Sequence, residues 1–154
     1  MAYMEFLKSA RGRIVDDLLI LKAKGTVATS MVGEDPIGTD TYYDTGGGRT
    51  KGDVVVNVYA TPATILNLGF TMRLQGGKNS SFSTINDLQI LELGDSSAIS
   101  GGSDLGVGRY VMPFSNDLDG TVYRYLRHYM TKSGLNATNA SSIQYEVYLT
   151  NLNR

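Results

Sequence analysis

The chain has 154 residues, the length of one ordinary domain, and such a domain can bury a sizeable core without disulfides or metals. It contains no cysteine and one histidine, which excludes disulfides, thiolate metal sites and a metal centre built on several histidines of one chain. Lys and Arg together number 14 and Asp and Glu 15. This balance argues against nucleic acid as the main partner, because phosphate-binding surfaces usually carry a basic excess.

No stretch of the sequence predicts membrane insertion or export. The longest apolar run, at residues 18–21, is far shorter than the roughly 20 residues that a membrane helix needs. The first residues lack the basic head and apolar run of a secretion signal. We therefore expect no membrane partner.

The composition favours β structure, because the 18 Gly and 10 Tyr suit strands and tight turns.

The first 24 residues allow two interpretations. Several apolar residues roughly fit a helical stripe that Gly12 interrupts, whereas residues 14–24 also fit a strand that ends at Gly25. We favour the strand, which leaves residues 1–13 as an arm outside a single domain of residues 14–154. The arm carries aromatic and basic side chains suited to docking on a partner: Tyr3, Phe6, Arg11 and Arg13.

Residues 29–53 are rich in glycine and in acidic residues, and they predict a long connection between strands. A structureless span of this length is uncommon in a compact domain and is usually functional or ordered by a partner. Tyr42 and Tyr43 are the large aromatic residues with which this loop could anchor itself on a neighbour.

From residue 53 onward apolar and polar residues alternate, which is the pattern of half-buried strands. Strands are predicted at residues 54–60, 66–75, 82–93, 109–114, 121–132 and 142–150. A break in the alternation at residues 85–91 predicts a β-bulge or a second short strand. The absence of interleaved helical patterns indicates an all-β fold, an antiparallel β-sandwich. The side chains predicted to face inward are Leu66, Leu68, Phe70, Met72, Leu74, Ile143, Tyr145, Val147 and Leu149.

The sequence offers little that predicts catalysis. A catalytic His128 would need a nucleophile or substrate on one side and an orienting carboxylate on the other, and no Gly-x-Ser-x-Gly or similar motif supplies the nucleophile. We therefore interpret His128 as a residue of a sheet surface or an interface.

Two glycine-containing motifs resemble ligand sites without completing them. Gly33 and Gly38 have the spacing of a P-loop, but Thr39 stands where that motif has its lysine. Asp117-x-Asp119-Gly120 resembles the start of a calcium loop but lacks the closing glutamate, and we interpret it as a turn. We predict no cofactor, no metal and no enzymatic activity.

The most suggestive feature is a tyrosine stripe near the end of the chain. Tyr123, Tyr125 and Tyr129 are predicted to share one face of a strand that also carries Arg124 and Arg127. Such a stripe fits a core layer, a sugar-stacking platform or a protein interface.

From residue 53 onward the order of elements resembles that of the jelly-roll cement (decoration) proteins that coat the capsids of some tailed bacteriophages. The similarity lies in the segments GDVVVNVYAT, LNLGFTMRLQGG, GRYVMPF, YRYLRHYMT and ASSIQYEVYL. Arg124-Tyr125-Leu126-Arg127 is identical in all four residues to an Arg-Tyr-Leu-Arg strand of that family. The resemblance covers about residues 14–150, and the arm and the long loop exceed the family's minimal form.

The resemblance implies a jelly-roll-like sandwich, here with an N-terminal arm and a long Gly-rich loop, and a non-enzymatic role on the outer capsid surface of a virion. Its partners would be the major capsid protein, whose subunits it would bridge, and a second copy of itself, in a homodimer or a trimer. The residues predicted to make capsid or subunit contacts are Tyr3, Phe6, Arg11, Arg13, Tyr42, Tyr43, Arg124 and Arg127. The alternative is a carbohydrate-binding β-sandwich module, lectin-like or fibre-associated. An enzyme of the cupin type would need several histidines.

Overall fold

The computed structural model describes residues 19–28, 30–33, 40–62, 68–94, 106–133 and 142–153. These residues form eleven β-strands and no α-helix, and none of them belongs to a helix long and apolar enough to cross a membrane. The strands are β1 (Ile20–Val27), β2 (Met31–Val32), β3 (Tyr43–Asp44), β4 (Lys51–Ala60), β5 (Gly69–Gly77), β6 (Ile85–Gly94), β7 (Gly108–Ser115), β8 (Asp117–Leu118), β9 (Thr121–Val122), β10 (Tyr125–Ser133) and β11 (Ile143–Thr150).

The strands form two antiparallel sheets and one small hairpin. The first sheet has the strand order β1-β11-β4-β7. The second has the order β2-β10-β5-β6, and β3 also pairs with β10. β8 and β9 form the hairpin. The prediction of an all-β antiparallel sandwich is confirmed.

The two sheets enclose one hydrophobic core, to which both contribute alternate residues. Val54, Val56 and Val58 point into it from β4, and Leu126 and Met130 from β10. The predicted inward-facing residues within the described part of the chain are all buried: Leu68, Phe70, Met72, Leu74, Ile143, Tyr145, Val147 and Leu149. Leu66 lies outside the described residues.

The strand expected to end at Gly25 continues to Val27, so that boundary was wrong. Gly25 pairs with Tyr145, and Val27 pairs with Ile143 on β11. The ladder shifts register just before Gly25, so this glycine marks an irregularity within the strand and not its end. Residues 1–18, which include the predicted arm, lie outside the described residues.

The connection predicted at residues 29–53 contains three strand segments: β2, β3 and the start of β4. A tight turn follows β3, in which Gly46 and Gly47 have φ angles of 83° and 94°. The backbone amide of Gly46 donates to Asp44 Oδ1 at 2.8 Å, which fixes the turn. Residues 29 and 34–39 of this connection lie outside the described part of the chain.

β5 is buried on both faces, whereas the alternation predicted one exposed face. Thr71 and Gln75 point away from the core and are still buried. The predicted bulge is present in β6, because Leu74 pairs with Gln89 and Gln75 with Asp87, which leaves Leu88 as the extra residue.

The strand predicted at residues 121–132 is interrupted at residues 123 and 124, between β9 and β10. The interruption turns Tyr123 inward, where its Cβ lies 2.7 Å from the Cβ that a side chain at Gly76 would carry. Tyr123, Tyr125 and Tyr129 therefore do not share one face, and that prediction was wrong. The motif at 117–120 forms the β8–β9 turn, with positive φ at Asp119 and Gly120 as in a tight hairpin.

Candidate interaction surface

The outer face of the second sheet brings aromatic and arginine side chains together. On β10 the inward residues are Leu126, His128 and Met130, so Tyr125, Arg127 and Tyr129 point outward. Across the ladder they stand beside Gly77, Gln75 and Arg73 of β5. We call the group of Tyr42, Phe82, Tyr125, Arg127 and Tyr129 the Arg127 patch.

Phe82 reaches this face because the loop after β5 is held in a fixed conformation. The Asn79 side chain donates to Ser83 Oγ and accepts from Ser81 Oγ, at 2.6 and 2.7 Å. Phe82 adopts φ 53° and lies on Gly77, where an added Cβ would come within 2.5 Å of the Phe82 ring. A side chain at position 77 would clash with this ring, so the contact requires Gly77.

Tyr42, next to β3, lies at one side of the patch and contacts two of its rings. Its ring meets Phe82 edge-on at a centroid distance of 6.1 Å and Tyr125 at 5.4 Å. The side chain remains 44% exposed, which makes it one of the most accessible large apolar groups of the described residues. The next residue, Tyr43, points to the other side and packs against the core.

Arg127 occupies the centre of the patch. Its Cζ lies 4.4 Å from the Phe82 ring centroid and 6.0 Å from that of Tyr129, so two aromatic rings flank the guanidinium. Its Nε donates to Gln75 Oε1 at 3.0 Å. Partial burial lowers the pKa of Arg127, and the charges of Tyr129 and Asp40 oppose that shift.

A polar network fixes Gln75 in turn. Gln75 Nε2 donates to Asp87 Oδ1 at 3.3 Å, and Asp87 also pairs with Arg73 at 3.4 Å. Arg73 Nη1 donates to Thr131 Oγ1 at 2.8 Å, which links the network back to β10. The outer face is therefore ordered by side-chain contacts across three strands.

Arg124 lies beside the patch and is paired within the chain. Its Nε and Nη2 donate to the two carboxylate oxygens of Asp44 at 2.8 and 3.0 Å, in a bidentate geometry. This hydrogen bonding lowers the pKa of Asp44 and raises that of Arg124. The Arg124 Cζ also covers the Tyr125 ring at 5.2 Å. The pair ties β3 to the start of β10.

His128 is a core residue, which corrects its assignment to a sheet surface or an interface. It is 1% exposed, and its Nδ1 donates to the Arg73 carbonyl at 3.2 Å, so its Nε2 accepts from the Tyr145 hydroxyl at 2.8 Å. Burial, with a smaller contribution from the charge of Lys22, lowers the pKa of His128 to about 3. The neutral imidazole thus provides a hydrogen-bond acceptor for the buried Tyr145 hydroxyl.

The outer face of the first sheet has a different character. Tyr59 donates to Glu146 Oε1 at 2.5 Å, and this bond raises the pKa of Tyr59 to about 12. The Lys24 ammonium covers the Tyr59 ring at 4.1 Å, and Arg109 donates to the Tyr148 hydroxyl. Glu146, Lys24 and Arg109 therefore each have a partner within this face.

The predicted contact residues fall into three groups. Tyr42, Arg124 and Arg127 come together at the Arg127 patch, whereas Tyr43 packs on the core. Tyr3, Phe6, Arg11 and Arg13 lie outside the described residues. The sequence reasoning missed Phe82 as a contact residue, although a large apolar residue between serines, in the turn that follows a Gly-Gly pair, is a signal that could have indicated it.

Other concave or charged regions of the described residues offer less chemistry. A depression of about 390 Å³ opens beside the start of β4 and is lined by Lys51, Asp53, Pro113 and Asn151 among others. Asp53 there accepts from the Asn151 amide at 2.9 Å. Within the described ranges no three His, Asp or Glu side chains converge to hold a metal ion.

Comparison with models of known protein families gives no match, and comparison with curated protein sequences gives none either.

Proposed function

We propose that this chain is an auxiliary capsid (cement or decoration) protein, which binds the outside of a bacteriophage head and stabilises it by bridging subunits of the major capsid protein. The observation that carries the proposal is the Arg127 patch, an ordered group of aromatic and arginine side chains on the outer face of a sheet, in which Tyr42 is exposed and Tyr125, Arg127 and Tyr129 are partly exposed. Aromatic residues and arginine are enriched in the energetically important parts of protein interfaces. A docking role needs no catalytic residue.

The strand order supports the resemblance on which the proposal also rests. We infer a jelly-roll topology when β2 and β3 are counted as one interrupted strand and the β8–β9 hairpin is set aside. Eight strands then remain, in sheets of order 1-8-3-6 and 2-7-4-5. This is the double Greek-key order of a jelly roll.

The proposal also has a physical rationale in the number of copies. Each copy of a cement protein can bury a modest interface, and many copies on one shell act together against internal pressure. A homodimer, or a trimer, would add a second contact for each copy, and closed symmetry is the usual form for identical subunits.

A carbohydrate-binding module is the competing proposal, and the ring geometry of the patch favours it less. Stacking on a sugar needs an open aromatic face. Guanidinium groups already cover the faces of Phe82 and Tyr125, and an ammonium covers that of Tyr59. Tyr42 is the ring of the patch whose exposure best suits a sugar.

Cryo-electron microscopy of the source particle tests the proposal. We expect density for this sandwich on the outer shell, in contact with at least two major capsid subunits. A mature particle whose shell lacks the chain would overturn the proposal. Reproducible binding of the purified chain to one sugar class on a glycan array, without binding to shells, would favour the carbohydrate module.

A further inference from the structure

We infer that Arg127 is an anchor for a carboxylate of the partner, so that the docked protein presents an Asp or Glu side chain to the centre of the Arg127 patch. This inference rests on the proposed function, because it states the chemistry of the partner surface. It comes from the hydrogen bonds that the Arg127 guanidinium makes and those that it leaves unused.

The first step is the orientation of the guanidinium. Gln75 accepts from Nε, and the rings of Phe82 and Tyr129 flank the group. Gln75 is itself held by Asp87, so the guanidinium is fixed from both the strand below and the loop beside it. An arginine fixed in this way loses little side-chain entropy when it binds.

The second step is the hydrogen-bonding capacity that Arg127 retains. Arginine has five N–H donors, four of them on the two Nη atoms. Within the described residues Arg127 makes one hydrogen bond, from Nε, and forms no salt bridge, so its Nη atoms are not engaged. A planar guanidinium with open Nη donors matches a carboxylate, which it binds through two parallel hydrogen bonds.

The third step concerns the neighbouring charges. Arg73 is paired with Asp87, and Arg124 is paired with Asp44. These two pairs cancel in net charge. Asp40 acts on Arg127 through its charge but forms no hydrogen bond or salt bridge with it, so the open Nη donors of Arg127 remain the cationic group that the patch presents to an incoming surface. The complementary group is an anion, and one carboxylate supplies it.

The surroundings favour a protein carboxylate over other anions. A nucleic acid backbone presents repeated phosphates and would call for several open cations, whereas the two neighbouring arginines are already paired. Tyr42, at 44% exposure, and the half-buried Tyr125 and Tyr129 provide apolar surface around the anion. An Asp or Glu within an apolar or aromatic segment of a protein fits this environment.

The test uses the Arg127→Lys variant of the full chain, which keeps the positive charge but loses the planar bidentate donor. The matched control is Arg109→Lys, on the outer face of the other sheet, where the native arginine bonds Tyr148. Both variants are first compared with the wild type by thermal melting.

The probe is the phage shell stripped of this protein. We expect R127K to bind the shell at least tenfold more weakly, a loss of about 1.4 kcal/mol in binding free energy. R109K should bind as the wild type does. Binding of wild type, R127K and R109K with equal affinity would overturn the inference and leave the proposed function standing.

A second measurement distinguishes failure of this inference from failure of the proposed function. The Nε–H signal of Arg127 is followed by NMR while a short peptide with one Glu between aromatic residues is added, and a matched peptide with Gln serves as control. A shift with the Glu peptide alone supports the inference even if the chain does not bind shells, in which case the proposed function fails by itself. No shift with the Glu peptide, or a larger shift with glucuronate or inorganic phosphate, would overturn the assignment to a protein carboxylate.

Discussion

Single residues carry the stability of this sandwich to very different degrees, and burial decides which of them matter. Phe70 is 0% exposed at the centre of the core, while Val111 on β7 is 53% exposed. Both are apolar strand residues, so their apolar character alone does not tell which of them stabilises the fold.

Truncating the Phe70 side chain should greatly lower the stability of the fold. Phe70→Ala removes most of a fully buried side chain and leaves a cavity, so we expect a loss of about 3–5 kcal/mol in the free energy of unfolding. Val111→Ala is the control, with an expected change within about 0.5 kcal/mol. Urea unfolding of the two variants measures both values. A loss below about 1 kcal/mol for Phe70→Ala would contradict its place in the core.

The buried His128 predicts a loss of stability in mild acid. Its pKa in the folded state is about 3, against an ordinary value of 6.5, so between these values the unfolded chain binds a proton that the folded chain refuses. Folding stability from this group is therefore complete above pH 6.5 and falls as the pH decreases. Between pH 7 and pH 5 the expected loss is about 2 kcal/mol.

Unfolding at the two pH values measures this loss, and His128→Gln is the comparison. The titratable neighbours that face the imidazole are Lys22 and Tyr145, and burial raises the pKa of Tyr145, so the Tyr145 hydroxyl stays neutral in this range. We expect the pH dependence of the glutamine variant to be smaller by about the same amount. An unchanged pH dependence would show that His128 is not the group responsible.

At the scale of elements, the described edge strands carry features that hinder pairing with another chain. β1 has two register shifts, and β2 and β3 have two residues each. β6 has its bulge at Leu88, and the Gln89 side chain accepts from the Ile90 amide. Such features protect sheet edges from uncontrolled association.

β7 is protected by Pro113 and by Gln89. The Pro113 carbonyl accepts from Gln89 Nε2 at 2.7 Å, so the backbone polar groups of residue 113 point away from β4 towards the free edge. Proline offers no N–H there. Pro113→Val restores that donor, and we expect concentration-dependent self-association, measured by light scattering.

The control for that experiment is Thr150→Val, which places the same side chain on β11, a central strand of the same sheet. It should remain in the oligomeric state of the wild type. Equal association of the two variants would show that added hydrophobicity, and not the opened edge, is the cause.

Local patterns predicted the elements well and the contacts between distant elements poorly. Strict alternation placed Phe70 and Tyr145 correctly, because one face of each strand packs on the core. His128 was misplaced because its partner Tyr145 lies on the facing sheet, and no spacing within β10 indicates that. The Arg124–Asp44 pair is likewise 80 residues apart in sequence.

At the scale of the whole molecule, the sandwich and the docking segments are expected to be separable. Deleting residues 2–12 should leave the melting temperature nearly unchanged, because the core described above is built from residue 21 onward. The same deletion should weaken capsid binding at least tenfold, about 1.4 kcal/mol, if Tyr3, Phe6 and the basic residues of the arm contact the shell. Calorimetry and binding to stripped shells measure the two effects. Unfolding on deletion would show that the arm is part of the core.

The strand order also has a consequence for how the nascent chain folds. Of the described strands, the two that are synthesised last occupy inner positions: β11 lies between β1 and β4, and β10 between β2 and β5. At about 5–20 residues per second, β1 leaves the ribosome on the order of ten seconds before β11 exists to pair with it. The second sheet cannot close before β10 is made, and the first cannot close before β11 is made, so completion of the sandwich must follow synthesis of residues 143–150. During that interval Lys22 and Lys24 put two charges on an unpaired apolar strand, where such charges suppress aggregation of a waiting chain.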